Sequence, residues 1–335
     1  MESLKECTTA AVGIIAYNEQ QYLPALLDCI LRQSYTKEKT EIILVDGGSS
    51  DNTKKIMEEF QKRNLNIYRS IQVLDNPKRI QPAGWNIVIR HATSDIIMRI
   101  DAHALLPIDF VENSMACINS GEYICGGPRK NIIDEDTPFK RMLLDAELSL
   151  FGSGFAAYRQ VAGQKTYVKS VFHGAYRKEV FDKVGIFNEN LIRTEDNEIH
   201  YRLRKAGYRI CYEPDIQSFY QTRNSLGRML KQKYQNGRWI GKTIHVCPGC
   251  ISLFHMAPFA FTCALAMSIV LGMMWNWIPF VVLAIMYGCF NMVNAIMCLA
   301  HSKNICDVLL PLVFLFMHLA YGAGTGIGLV QGVRS

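Results

Sequence analysis

No glycine fingerprint follows the first apolar run of this 335-residue chain. A nicotinamide or flavin domain needs G-x-G-x-x-G there so that backbone can approach a pyrophosphate. The sequence reads Ala16-Tyr17-Asn18-Glu19-Gln20-Gln21 instead. A P-loop is absent too, so the phosphates of any ligand must be handled another way. Charge is nearly missing from Ile251 to Ser335, where only Lys303, Asp307 and Arg334 interrupt the apolar run. A second soluble helical domain would carry a polar stripe. The start, Met1-Glu2-Ser3-Leu4-Lys5-Glu6, is polar rather than leader-like, and the expectation is that the N-terminal part stays cytoplasmic. The 11 cysteines are odd in number and scattered, which suits a reducing compartment. Cys247-Pro248-Gly249-Cys250, beside His245, is a redox pair, half a zinc site or a plain loop. No second ligand pair accompanies it, which favours the loop.

The uncharged tail holds three segments of spanning length: Leu253–Met274, Trp277–Ala300 and Ile305–Val330. Asn291, Asn294 and His318 are their few polar interruptions and are expected to face other helices. Between Gln221 and Lys242 stand Arg223, Arg228, Lys231, Lys233, Arg238 and Lys242, with no acidic residue. That is the positive-inside pattern, and it attracts anionic headgroups. Trp275-Asn276-Trp277 would mark the far interface, His301-Ser302-Lys303 the return, and the C-terminus would lie outside.

The first 222 residues alternate strands and helices. Thr8–Ala16 reads as a buried strand, and Asn18 with Gln21 three residues later reads as a capping box opening a helix. Thr40–Val45 is a second strand, ending in the turn Asp46-Gly47-Gly48-Ser49-Ser50-Asp51, with a helix through Phe60. A strand near 67–74, a helix near 83–92 and a strand from Ser94 follow. That last strand delivers Asp101-Ala102-His103 to its C-terminal end, where open α/β sheets bind ligands. A carboxylate and an imidazole two residues apart can both reach a divalent ion or its bound water. Thr194-Glu195-Asp196 opens a further helix, with Ile199, Leu203 and Ala206 on one face. The helix N-terminus favours an ionised Asp196.

Together these pieces resemble the inverting glycosyltransferases of family 2. Val12–Glu19 is similar to that family's opening strand and loop, and Val45-Asp46-Gly47-Gly48-Ser49-Ser50-Asp51-Asn52-Thr53 to its V-D-D-G-S-S-D-x-T signature. Asp101-Ala102-His103 occupies the D-x-D position, Thr194-Glu195-Asp196 the T-E-D motif, and Gln235-Asn236-Gly237-Arg238-Trp239 the Q-x-x-R-W motif. The likeness spans about residues 8–240, and the D-A-H variant with three spans is most similar to exopolysaccharide transferases of the succinoglycan type. It implies a GT-A, Rossmann-like mixed sheet with helices on both faces, followed by a transmembrane helix bundle. The expected organisation is a cytoplasmic catalytic domain over 1–222, an amphipathic interfacial helix and linker over 223–250, and about three spans over 251–335 of an inner-membrane protein.

The resemblance also implies roles. The donor would be a nucleotide diphosphate sugar, most often a UDP-sugar. Asp46 would meet the nucleobase, and Glu19 with the Ala16 backbone would line the nucleoside pocket. Asp101 and His103 would hold Mn2+ or Mg2+ as a Lewis acid on the diphosphate, with the imidazole suiting Mn2+ better. Alternatively, His103 hydrogen-bonds the phosphate and Asp101 alone touches the metal. Arg238 would contact the diphosphate, as would Arg79 and Arg99. Asp196, beside Glu195, would be the general base. Trp239 and Gln235 would serve the acceptor, while His173 either faces the acceptor or is a satisfied core histidine. Leu226, Met229, Leu230 and Tyr234 also give the helix carrying Arg238 an apolar stripe suited to a membrane surface.

The expected acceptor is a lipid-linked glycan or polysaccharide. The alternatives are a polyprenyl phosphate acceptor, or a membrane scaffold that has lost catalysis. Membrane lipids, a second copy of the chain and other glycan-assembly enzymes are the expected partners, and nucleic acid is not among them.

Overall fold

The structure, a computed structural model, describes residues 5–152, 163–222 and 225–332. Arg223 of the basic run and Arg334 of the tail lie outside the described residues. Two units are present, one made of residues 1–130 and 157–220, the other of 131–156 and 221–335.

The first unit is built on a mixed sheet. Its leading strands are β1 (Ala10–Ala16), β2 (Thr40–Asp46), β3 (Ser70–Asp75) and β4 (Ile96–Asp101). After the short β5 (Ala104–Leu105) come β6 (Ile124–Gly126), β7 (Arg129–Ile132), β8 (Thr166–Val168), β9 (Ala175–Arg177), β10 (Ile210–Tyr212) and β11 (Ser218–Gln221). The large sheet runs β3-β2-β1-β4-β9-β6-β10-β8. Its first four strands are parallel, and β9 is antiparallel to both neighbours. In the parallel half Ala16 pairs with Asp46, Ile15 with Asp101, and Asp46 with Asp75, so the strand ends stand level. These strands are near-continuous Ile, Val, Leu and Ala because both faces are covered.

On one face lie α1 (Leu23–Leu31), α2 (Thr53–Asn64) and α4 (Phe110–Asn119), which bury Leu26, Ile30, Met57, Phe110 and Ile118 with Ile14, Leu44 and Ile100. On the other lie α3 (Gln81–His91), α6 (Glu179–Val184) and α7 (Glu195–Lys205), contributing Trp85, Val88, Val180, Phe181, Ile199 and Leu203. A buried carboxylate fixes the entry of β4. Glu41 of β2 accepts the amides of Thr93 and Ser94 at 2.9 and 3.0 Å, and the Ser94 hydroxyl at 2.9 Å. Burial works against its ionisation, but these bonds outweigh it and hold the carboxyl below its ordinary pKa.

One local expectation fails. α1 begins at Leu23 with Pro24 in its first turn, and Asn18 caps nothing there. Asn18 instead adopts a left-handed φ of 55°, and its Oδ1 accepts the Ser50 amide at 2.8 Å. The proline was the better start signal, since its missing N–H costs nothing at that position.

The second unit is helical. It comprises α5 (Pro138–Leu148), α8 (Leu226–Val246), α9 (Leu253–Met274), α10 (Ile278–Ser302) and α11 (Leu310–Gln331). The last three, with the turn Ile305–Leu309 leading into α11, are long and apolar enough to cross a membrane. They fall where hydropathy placed them. Cys247 and Cys250 form a disulfide across the turn between α8 and α9. Helix α8 turns small residues toward α11 so that backbones touch. A Cβ on Gly328 would lie 2.0 Å from the Arg238 carbonyl oxygen, and one on Gly237 2.0 Å from that of Tyr321. Such close approach requires glycine. Met142, Leu143, Met229, Ala295, Phe314 and Met317 fill the remaining core.

Candidate functional site

The chain leaves β1 toward β2 and β3, then returns to the far side of β1 as β4. Connections diverge at that point, and a crevice opens beyond the strand ends. Glu19 follows β1, while Asp101 ends β4 and His103 lies in the turn after it. The His103 ring donates from Nδ1 to Glu19 Oε1 at 3.1 Å, joining the two sides, and it packs edge-on against Tyr220 with centroids 5.1 Å apart.

The turn after β2 is ordered by its own acid. Asp46 is buried, and its Oδ2 accepts the Gly48 and Ser49 amides at 3.0 and 3.1 Å. The Gly47 amide donates to the Ala16 carbonyl at 2.8 Å. Gly48 has φ 76° and lies under the Arg79 side chain, 2.7 Å from Nε to a would-be Cβ. Arg79 itself is exposed with a left-handed φ of 54°. Two non-glycine residues in strained conformations, Asn18 and Arg79, thus flank one loop, a concentration typical of ligand sites.

Asp101 sits at the floor. Burial opposes its ionisation, but His173, His103, Arg99 and Arg129 around it outweigh that and hold the carboxyl below its usual range. His173 is 3 % exposed, with Nε2 3.9 Å from Asp101 Oδ2, and neither ring nitrogen has a hydrogen-bond partner among the described residues. Burial pushes its pKa down to about 3, so the ring is neutral at pH 7. His173 is therefore a buried histidine beside Asp101 whose ring nitrogens are not claimed by any described side chain or backbone group.

Arg99 is also corrected. Expected near a diphosphate, it is buried on β4 with its guanidinium 5.0 Å from the Trp85 ring centroid and 5.5 Å from that of Phe187. Its Nη2 donates to Glu195 Oε1 at 3.1 Å, a buried pair at the start of α7. Glu195, Asp196 and Asp101 all act on this one cation. With three acids around a single guanidinium, the most buried one keeps its proton. Burial first, with Asp196 adding to it and Arg99 opposing, raises Glu195 to about 8.

A raised carboxyl pKa means that the folded state binds the proton more tightly than the unfolded one. The resulting stability is complete below the unfolded value near 4.5 and is lost as pH rises through about 8. Melting temperature should therefore fall between pH 5 and 9, by roughly 1.4 kcal/mol of stability per pH unit while the difference in protonation is full. Glu195→Gln, which mimics the protonated acid, should flatten the slope. An unchanged slope in that variant would refute the assignment.

Asp196 lies one residue on, half-buried, with Oδ1 accepting the Asn197 amide at 2.8 Å. Thr194 holds the N-cap position without a side-chain cap bond. Sequence reasoning missed the aromatic slot beside Asp101: Arg129 lies 4.0 Å from the Phe172 ring centroid and 4.3 Å from that of Tyr220. No local motif marks it, since its members come from distant stretches of chain. In the second unit, Gln235, Arg238 and Trp239 are half-buried or lie at the helix surface on α8, and Arg238 Nε donates to Gln331 Oε1 at 2.9 Å.

Residues 11–185 match the model of the family described as Glycosyl transferase family 2. The chain belongs to glycosyltransferase family 2. The succinoglycan biosynthesis protein ExoA of Rhizobium meliloti is 29 % identical over 328 residues, covering 95 % of this chain and 94 % of that protein. A dolichyl N-acetyl-alpha-D-glucosaminyl phosphate 3-beta-D-2,3-diacetamido-2,3-dideoxy-beta-D-glucuronosyltransferase of Methanococcus voltae is 26 % identical, covering 96 % and 97 %. Among solved structures, the mannosyltransferase PcManGT of Pyrobaculum calidifontis, in complex with GDP-Man and Mn2+, superposes with a TM-score of 0.61. It is 16 % identical, covering 96 % of this chain and 87 % of that one. The fold of this family 2 transferase is GT-A-like, and its homologues are nucleotide-sugar transferases.

Within the transferase, Asp101 offers the donor chemistry for a divalent ion. Among the described residues no group of three or more His, Cys, Asp or Glu side chains forms a ready cage.

Proposed function

We propose that this chain is a membrane-anchored inverting glycosyltransferase. It moves a sugar from a nucleotide diphosphate donor, a UDP-sugar by preference, to a hydroxyl of a lipid-linked or polysaccharide acceptor. The observation that carries this reading is the buried bond from Arg99 Nη2 to Glu195 Oε1 at 3.1 Å, which ties β4, ending in Asp101, to the start of α7, where Asp196 follows. One buried cation thereby gathers the acid on the donor side and the base on the acceptor side.

On this reading the ordered turn at Asp46, the Ala16 carbonyl and Glu19 shape the nucleoside pocket, and Arg79 reaches the diphosphate. Asp101, with His103, would hold Mn2+ or Mg2+, which supplies positive charge against the departing diphosphate. Asp196 accepts the proton of the acceptor hydroxyl as its oxygen attacks the anomeric carbon opposite the leaving group. A single displacement inverts that carbon. On α8, Gln235, Arg238 and Trp239 carry the family's Q-x-x-R-W motif. The three apolar helices anchor the chain as a multi-pass inner-membrane protein, with residues 1–222 cytoplasmic, 223–250 interfacial and 251–335 spanning. Similarity to a succinoglycan biosynthesis protein and to a transferase whose name includes a dolichyl phosphate-linked sugar supports such acceptors.

The test uses the full chain in detergent, with UDP-, GDP- and TDP-sugars offered with Mn2+ or Mg2+ and both binding and nucleotide release measured. One donor should bind in a metal-dependent way, and Asp101→Asn should weaken that binding at least tenfold. Full binding with EDTA present, or an unaffected Asp101→Asn, would refute the metal role.

A further inference from the structure

We propose that His200 is a positioning residue of the transfer reaction: it ties the segment 170–174 to α7 and so fixes where Asp196 stands relative to the side chains beside Asp101. The proposal rests on the reading of Asp196 given above and adds a residue that meets no reactant itself. His200 lies four residues after Asp196 on α7. Residues at that spacing sit one above the other on the same helix face. A contact that fixes the His200 ring therefore fixes the rotation of the helix under Asp196.

The ring is held from two sides. His200 is fully buried, with Nε2 2.8 Å from the Tyr176 hydroxyl and Nδ1 2.9 Å from the Ser170 hydroxyl. Burial first, with Arg99 and Arg204 adding to it, pushes its pKa down to about 3, so the ring is neutral at pH 7. One nitrogen then donates and the other accepts, and the two hydroxyls take the complementary parts. Tyr176 belongs to the interior of the large sheet, where it pairs with Ile97 and Ile124. Packing alone would be served by an apolar side chain, as at Ile199 and Leu203 on the same helix. A histidine bonded at both nitrogens adds direction, because a fully matched buried network admits one arrangement.

What the ring holds is the approach to β9. At one end the Gly174 carbonyl accepts the Arg99 amide at 2.9 Å. A Cβ on Gly174 would lie 2.7 Å from the Tyr176 hydroxyl, so glycine there leaves that hydroxyl room to reach His200. At the other end Ser170 is bonded to the ring. Between the two anchors Val171 is buried, 2.8 Å from a would-be Cβ on Gly126. The next two side chains reach the site, Phe172 with its ring centroid 4.0 Å from the Arg129 guanidinium and His173 with Nε2 3.9 Å from Asp101 Oδ2.

The experiment follows nucleotide release by the full-length protein in detergent, from UDP-, GDP- and TDP-sugars with Mn2+ and a membrane lipid extract as acceptor, alongside titration with UDP and GDP. Turnover is expressed per titrated nucleotide site, so a loss of folded protein does not register as a loss of rate. His200→Phe keeps the ring's size without its nitrogens and should lower turnover per site about tenfold to hundredfold, the scale of a displacement of about 1 Å. Nucleotide affinity should stay within about twofold, because the change falls on the transfer step. Ser170→Ala should lower turnover about threefold or more, the scale of one neutral hydrogen bond. Adding it to His200→Phe should change nothing further, since the same bond is already gone. A role in stability alone would move the melting temperature and the number of sites, and would give no such coupling. If His200→Phe does not fold, Ser170→Ala decides alone. Wild-type turnover per site in Ser170→Ala, equal losses of rate and nucleotide affinity, or fully additive losses would overturn the proposal while Asp196→Asn still abolishes transfer. If the wild type releases no nucleotide, or Asp196→Asn works at the wild-type rate, the reading of Asp196 fails and this proposal with it.

Discussion

Asp196→Asn should lower the turnover number by about 10²–10⁴ while leaving nucleotide binding within about twofold of wild type, the range that a positioned proton acceptor contributes. Two carboxylates begin α7, and the structure separates their duties. Glu195 is buried against Arg99 and keeps its proton to about pH 8, so at neutral pH it has no charge with which to take another. Asp196 is half-buried, within the first helical turn. The substituted amide preserves the side chain's shape and an oxygen for the Asn197 N–H, but it cannot accept the hydroxyl proton. Rapid-quench measurement of the sugar-transfer step, alongside nucleotide titration, checks both halves. Wild-type turnover in the variant would remove Asp196 from the mechanism, and a parallel loss of nucleotide affinity would place it on the donor side.

The largest loss of stability should come from Gly328→Leu. At that position a Cβ would stand 2.0 Å from the carbonyl oxygen of Arg238, 2.9 Å from its carbonyl carbon and 3.1 Å from its Cα. All three atoms are backbone, so no rotamer change relieves the clash and α8 and α11 must separate. Overpacking costs roughly 1–3 kcal/mol where side chains can yield, and more where they cannot. Separation also exposes the seam at Gly324, whose Cβ position lies 2.1 Å from the Tyr234 carbonyl oxygen. Gly288→Leu is the matched control, since nothing lies within 4 Å of a Cβ there. Size-exclusion profiles and thermal unfolding in detergent should show Gly328→Leu aggregated or melting well below wild type, with Gly288→Leu close to it. Equal behaviour of the two variants would mean that the helices are not joined at this seam.

Local patterns were legible in the sequence and distant pairings were not. The apolar runs gave β1, β2 and β4 to within two residues, and the near absence of charge after Ile251 gave all three long apolar helices. Each is a property of consecutive residues. Asn18 shows where this ends: with Gln21 it satisfies a capping-box pattern, yet the partner that claims its side chain is Ser50, 32 residues away. The resemblance implied a diphosphate contact for Arg99. Its neighbours Trp85, Phe187 and Glu195 come from three other segments, and they bury it. The slot holding Arg129 has the same origin, since Phe172 and Tyr220 meet there only through tertiary structure. The stripe of Leu226 and Met229 was visible on α8, but the glycines opposite α11 register as a helical defect until the second helix is in place.

The level ends of β1, β2, β3 and β4 act as a ruler for chemistry. Asp46, Asp75 and Asp101 are positioned by counting residues along paired strands, and a side chain changes face with each residue counted. Deleting one residue inside β4 would move Asp101 to the place of Ile100, on the opposite face, and bring Ala102 to the strand end in its stead. Lengthening a connection beyond the strand ends moves none of these acids, and doubling a flexible loop costs only about 0.6 kcal/mol. Exchanges of residue type at fixed length inside the strands therefore keep these acids in register, whereas a change of length there does not.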